Sequence, residues 1–191
     1  ELAEATGGSM QIEGEAGSVS TDTRQLQPGL WFLALAGESF DRNNFLSVAL
    51  ERGCAGVLSN RRPPEEWACG FVQVQGNGFD ELQALAHSVR GSFQGEVVAV
   101  TGSTGKTTTR TMITLMLSTR LEVHCTEGNF NNLVGMPLTL LKTPPSAEAI
   151  VLEIGMNSFG EIHDLQRICM PTIRLITNVG PVHLEGLGSI E

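Results

Sequence analysis

Positive charge is scarce in this sequence: 12 Lys and Arg stand against 21 Asp and Glu, a formal net charge of −9. Nucleic-acid backbones are gripped by clustered Lys and Arg, so no nucleic-acid partner is expected. Long apolar runs are missing too. No stretch approaches the roughly 18 apolar residues of a membrane span, and the opening ELAEATGGSM has neither the basic nor the apolar region of a secretory leader. No membrane partner is expected, and the chain reads as cytoplasmic, or as stromal had a plastid-targeting peptide been removed. The four cysteines, Cys54, Cys69, Cys125 and Cys169, are scattered, with no CxxC pair and no Cys/His spacing suited to zinc. They read mostly as small buried apolar residues in a reducing compartment. Internal repeats, low-complexity runs and flexible linkers are also lacking.

What is present is an ordinary globular composition, 41% hydrophobic over 191 residues, enough for one large domain or two modest ones. Up to about Asn77, short apolar runs punctuated by Gly, Pro and Asn predict strands at LWFLALAG, CAGVLS and FVQV. Between the first two, Phe45, Leu46, Ala49 and Leu50 recur at the spacing of one helical face. DELQALAHSVRGS, from Asp80 to Ser92, predicts a helix with an acidic start, a stripe of Leu82, Leu85 and Val89, and a stop at Gly91. It marks a boundary between domains 1–92 and 93–191.

GEVVAV then reads as a central parallel strand buried on both faces. A helix through Met112 to Leu117, a strand around Leu121 to His124 and a helix from Val134 to Leu141 follow. The strands AIVLEIG and TIRLITNVG flank a helical segment from Phe159 to Ile168. This βαβ repetition predicts an α/β fold, with a small α/β domain followed by part of a doubly wound, mainly parallel sheet. Ligands of such sheets bind beyond the carboxyl ends of the strands, where Glu153 and Asn178 stand.

The segment VVAV-TGSTGKTTT joins a strand to a helix that begins near Lys106. Unpaired N–H groups and the positive end of the helix dipole favour an anion there, and Gly102 and Gly105 let the backbone close around it. Gly102, Ser103, Thr104, Gly105, Lys106, Thr107 and Thr108 are therefore candidate ATP-binding residues, with Lys106 on the β and γ phosphates and the Thr107 hydroxyl on magnesium. The strict GxxxxGK[ST] pattern is not met, because Val100 stands five residues before Gly105. The loop is one residue shorter than the usual form. Glu153, in an otherwise apolar strand, is a candidate metal ligand, with loop capping as its alternative. His183, in a loop, has surface or hydrogen-bonded histidine as its local reading. The run EGNFNNLVGMP offers asparagine amides to a sugar, phosphate or amide substrate, and equally to turns and helix caps.

Together these segments resemble the Mur ligase family along essentially the whole chain. The first half carries ELAEATGG and TDTRQLQPGLWFLALAGESFDRNNFLSVALERGCAGVL. The second carries TGSTGKTTT, TEGNFNNLVGMPLTLL, LEIGMNSFGEI and ITNVGPVHLEGLGSIE, in the order expected of the family's central domain. The resemblance implies a UDP-substrate-binding domain over 1–92 and an incomplete ATP-binding domain over 93–191. It implies a P-loop ligase of peptidoglycan precursor synthesis, serving cell-wall biogenesis, cell shape and division, with ATP and Mg2+ as cofactors. Its substrates would be UDP-N-acetylmuramoyl-tripeptide and D-alanyl-D-alanine, joined through an acyl phosphate. Lys106, Glu153 and His183 would be catalytic. Thr107 would hold one magnesium, and Glu153 and His183 a second. Asp22, Thr23 and Arg24 would contact the uridine nucleotide, and Asn129, Asn131 and Asn132 the muramyl peptide.

Thr104 stands where Asn is common in such loops, and its hydroxyl can still hydrogen-bond. The chain stops at Glu191, before the family's carbamylated lysine and carboxy-terminal domain, so it reads as a piece of a ligase, inactive alone. A monomer is expected. Another Mur-type ligase, a folylpolyglutamate synthase, or a nucleotide-binding module without ligase activity are the alternatives. The NFNN segment and the TDTR region argue against the synthase.

Overall fold

Aromatic and β-branched runs make the strands of the first unit, Glu1–Leu85. The computed structural model describes residues 1–37 and 40–182. Helix α1 (Leu2–Thr6) and strands β1 (Ser9–Ile12) and β2 (Val19–Ser20) precede β3 (Trp31–Leu33). Strands β4 (Ala36–Gly37) and β5 (Phe40–Asp41) form a small antiparallel pair, and α2 (Leu46–Glu51), β6 (Gly56–Ser59) and β7 (Gly70–Gln73) follow. The main sheet runs β1-β7-β6-β3-β2, parallel throughout except for β1 at its edge. Leu26, Phe32, Leu46, Ala49, Val57 and Phe71 pack on one face.

Trp31, buried to 2% exposure, lies over Gly56 and Gly70, where an added Cβ would come within 2.5 and 2.6 Å of its ring. These glycines clear space for an indole. The expected helix around Phe45 begins as a 3-10 turn over Arg42–Phe45, because the Asp41 carboxylate accepts from the Asn43 N–H at 2.9 Å. Helix α1 and strands β1 and β2 were not foreseen. Ser9, Met10 and Gln11 of β1 are all exposed, so no alternation betrays this edge strand.

Helix α3 (Phe79–Ser92) carries the division between the units, after Leu85. It runs past Gly91, which was expected to stop it. Arg90, 8% exposed, donates from this last turn to the carbonyls of Phe93, Cys169 and Met170 at 2.9–3.0 Å, and this anchoring overrides the weak helix propensity of glycine.

The second unit, Ala86–Glu191, alternates β8 (Glu96–Thr101), α4 (Lys106–Leu117), β9 (Val123–Cys125), α5 (Gly135–Leu141), β10 (Ala149–Glu153), α6 (Glu161–Cys169) and β11 (Ile173–Ile176). Its all-parallel sheet has the order β11-β8-β10-β9. Strand β8 is central and alternates between two cores. Val97 and Ala99 face α5 and α6 with Met136, Leu140, Leu152 and Leu165. Val98 and Val100 face α4 with Val151, Ile113 and Leu117. Because α4 and α6 lie on opposite faces, the connections after β8 and β10 leave in opposite directions. The carboxyl ends of these neighbouring strands therefore flank a switch point, the usual ligand crevice of such sheets. Among the described residues no helix is long and apolar enough to cross a membrane. Cys54 and Cys169 are buried, while Cys69 and Cys125 are partly exposed. Burial pushes the Cys54 thiol up to about 12.

Candidate functional site

β8 delivers Thr101 into a turn that only glycine can make. Gly102 has φ +135°, and a Cβ there would stand 2.1 Å from the Thr177 hydroxyl. Gly105, at φ +80°, leads into α4, and no side chain caps that helix. The helical ladder starts with Thr109 N–H donating to Gly105 O at 2.9 Å. Among the described residues, the N–H groups of Gly105, Lys106, Thr107 and Thr108 make no hydrogen bond. They form an unpaired donor cluster at the positive end of a 12-residue helix. Lys106 lies back over the loop, its Nζ donating to the carbonyl of Gly102 at 2.7 Å and to that of Ser103 at 3.4 Å.

Glu153 ends β10 beside this cluster. It is only 3% exposed, and both carboxylate oxygens have partners. Thr107 Oγ1 donates to Oε2 and Asn131 Nδ2 to Oε1, each at 2.8 Å. The Arg110 guanidinium stands 3.8 Å from Oε2 and donates to the Thr126 carbonyl at 2.6 Å. Thr126 Oγ1 in turn accepts the Glu153 N–H at 3.0 Å. A buried carboxylate is tolerated only with such company. The site therefore joins a carboxylate, a hydroxyl, an ammonium and free backbone donors, a set that suits a phosphate chain with a hard divalent cation. Among the described residues no three His, Cys, Asp or Glu gather as a metal cage, so such a cation would depend on oxygens supplied by the ligand.

The expected asparagine cluster divides by role. Asn131 reaches Glu153, and Asn132 Oδ1 accepts the N–H groups of Val134 and Gly135 at 3.1 and 2.8 Å, capping α5. The backbone carbonyl of Asn129 accepts the Asn131 N–H at 2.8 Å. In the first unit Asp22, Thr23 and Arg24 follow the carboxyl end of β2. Asp22 caps a 3-10 turn and takes Arg24 Nη2 at 2.7 Å. That bond, opposed by partial burial, lowers the Asp22 carboxyl to about 2. His183 lies outside the described residues.

Residues 100–191 match the Mur ligase middle domain. Over 176 residues the chain is 44% identical to the UDP-N-acetylmuramoyl-tripeptide--D-alanyl-D-alanine ligase of Bacillus subtilis (strain 168), covering 91% of this chain and 38% of that protein. Crystal structure I of MurF from Acinetobacter baumannii superposes with a TM-score of 0.91 at 34% identity, over 99% of this chain and 42% of that one. The chain belongs to the Mur ligase family. A second solved relative of this Mur ligase chain, the MurF ligase from Thermotoga maritima in complex with ADP, has a TM-score of 0.78 at 32% identity, covering 88% of this chain and 39% of that one. This Mur ligase chain thus spans about two-fifths of the length of the relatives it matches. Its α/β architecture with parallel sheets is that of MurF.

Sequence reasoning missed Arg110, Thr126 and Thr177. Arg110 had a signal, since it lies one helical turn beyond Lys106 and Thr107 on the helix that opens the loop. Thr126 and Thr177 had none, because their roles depend on strand order.

Proposed function

We propose that this chain forms the UDP-substrate-binding and ATP-binding parts of an ATP-dependent ligase of peptidoglycan precursor synthesis. The reaction joins D-alanyl-D-alanine to UDP-N-acetylmuramoyl-tripeptide. The observation that carries this reading is the meeting of Glu153 and Thr107 at 2.8 Å beside unpaired N–H groups, in a chain whose relatives bear that ligase's name. Residues 1–92 take the uridine nucleotide, with Asp22, Thr23 and Arg24 at the strand end. Residues 93–191 take ATP. The enzyme works as a monomer in the cytoplasm.

The N–H groups at the start of α4 bind phosphate oxygens. Lys106 exchanges its loop carbonyls for the β and γ phosphates, a short swing for an ammonium already held at the loop. Thr107 and Glu153 are the described residues suited to hold Mg2+, with His183 as a further ligand. Bound there, magnesium neutralises charge on the transferring phosphoryl group. Asn131 holds Glu153 in orientation, and Asn129 and Asn132 border the muramyl-peptide side. The tripeptide carboxylate attacks the γ-phosphorus and releases ADP. The amine of D-alanyl-D-alanine then attacks the acyl carbon and releases phosphate.

Calorimetry with Mg-ATP and with UDP-N-acetylmuramoyl-tripeptide tests the binding half on this chain. Phosphate release on adding D-alanyl-D-alanine to the protein as encoded tests the chemistry. Lys106→Met is expected to weaken Mg-ATP binding by about two orders of magnitude, the loss of a charge-assisted donor at a phosphate. ATP hydrolysis indifferent to both the muramyl peptide and the dipeptide would leave a nucleotide-binding protein with another substrate.

A further inference from the structure

Ser103 and Thr104 are hydrogen-bonded to Thr177, Asn178 and Gly180, the residues that follow β11. The Ser103 N–H donates to Asn178 O at 3.0 Å, and Ser103 Oγ accepts the Gly180 N–H at 2.7 Å. The Thr104 N–H donates to Asn178 Oδ1 at 2.9 Å, and Asn178 Nδ2 donates back to Thr104 Oγ1 at 2.6 Å. The Thr177 hydroxyl donates to the Thr104 carbonyl at 2.6 Å. One asparagine side chain thus grips both the backbone and the side chain of Thr104. The N–H groups from Ser103 to Thr108 fall into two classes. Those of Ser103 and Thr104 are committed to Asn178, and those from Gly105 to Thr108 have no partner among the described residues.

We propose that Asn178 is a positioning residue for the nucleotide: it fixes Ser103 and Thr104, gives the one-residue-short loop its shape, and confines phosphate recognition to the N–H groups of residues 105–108. A shorter loop has fewer internal contacts to define its path, and a neighbouring strand supplies them instead. Gly102 belongs to the same device. Its missing Cβ admits Thr177, which takes the Thr104 carbonyl. The inference rests on the nucleotide-binding reading above.

The test uses the 15N-labelled chain with Mg-ADP as probe, comparing wild type with Asn178→Ala and Thr104→Val. In wild type, the N–H signals of residues 105–108 should move strongly on binding, while those of Ser103 and Thr104 stay slow to exchange before and after. In Asn178→Ala, which keeps the main-chain carbonyl bound by Ser103, the Thr104 N–H should exchange at least about tenfold faster without ligand, and Mg-ADP affinity should fall by about tenfold, as expected for a lost pair of hydrogen bonds to Thr104. Thr104→Val, which loses only the hydroxyl, should lose about threefold. It decides the matter if Asn178→Ala does not fold, and unchanged affinity there would overturn the proposal. Shifts at 105–108 with equal shifts at 103–104, and wild-type affinity in Asn178→Ala, would overturn the positioning role and leave nucleotide binding intact. No Mg-ADP binding by wild type would remove both.

Discussion

Arg110 has an environment that fixes its expected effect. Its side chain is 11% exposed, between the Thr126 carbonyl and Glu153. Arg110→Met would leave the carbonyl of buried Thr126 without this donor and Glu153 without its cation. A loss of about 2 kcal/mol in the second unit is expected, read as a lower thermal midpoint, with Arg110→Lys recovering part of it. Asp22 makes a second prediction. Its carboxyl falls from 3.8 to about 2, chiefly through Arg24. A depressed carboxylate favours the fold above its unfolded value, so this contribution is present above pH 3.8 and lost as pH falls toward 2. Following the Asp22 carboxyl by NMR should give a midpoint near 2 in wild type and one near the ordinary value in Arg24→Ala.

At the scale of elements, strand β3 depends on the two glycines beneath its tryptophan. Gly56→Ala would drive a methyl into the Trp31 ring, 2.5 Å away, at a cost of about 1–3 kcal/mol. Denaturant unfolding followed by Trp31 emission measures it, and an unchanged midpoint would mean that the indole has room to shift. The same glycines mark the limit of what the sequence discloses. Local periodicity made β6, β7, β8, β10, β11 and the helices around them legible, because each carries its own apolar pattern. It also revealed the loop after β8 and the carboxylate that ends β10, since both are punctuation in apolar strands. The partners of those residues were hidden. Asn131 and Glu153 are 22 positions apart and Thr104 and Asn178 are 74 apart, so only the order β11-β8-β10-β9 brings them together. The asparagine run was ambiguous for a related reason. Capping by Asn132 and orientation of Glu153 by Asn131 use the same amide chemistry and differ only in what the fold puts opposite.

Across the whole molecule, the two units carry different reporters. Trp31 and Trp67 both belong to the first unit, whereas the loop and Glu153 belong to the second. Mg-ADP at a hundred times its dissociation constant should add about 2.7 kcal/mol to whatever unfolds with its site. Amide exchange of β8 and β10 should slow accordingly, and the thermal midpoint seen by tryptophan emission should move less. Equal movement would mean that both units unfold as one cooperative block.

The central place of β8 has a consequence for biosynthesis. Its neighbours in the sheet are β10 and β11, beginning at Ala149 and Ile173, and β9, the next strand to be made, is not among them. A ribosome that has just produced the glycine loop has made no strand to hold it. The nascent loop must wait until β11 has been made before its flanking strand can be buried on both sides, and the entropy of closing so long a segment makes this a late step. Nucleotide should therefore be unable to rescue chains arrested before Ile176, and the first nascent chains to retain it should be those in which β11 has cleared the exit tunnel.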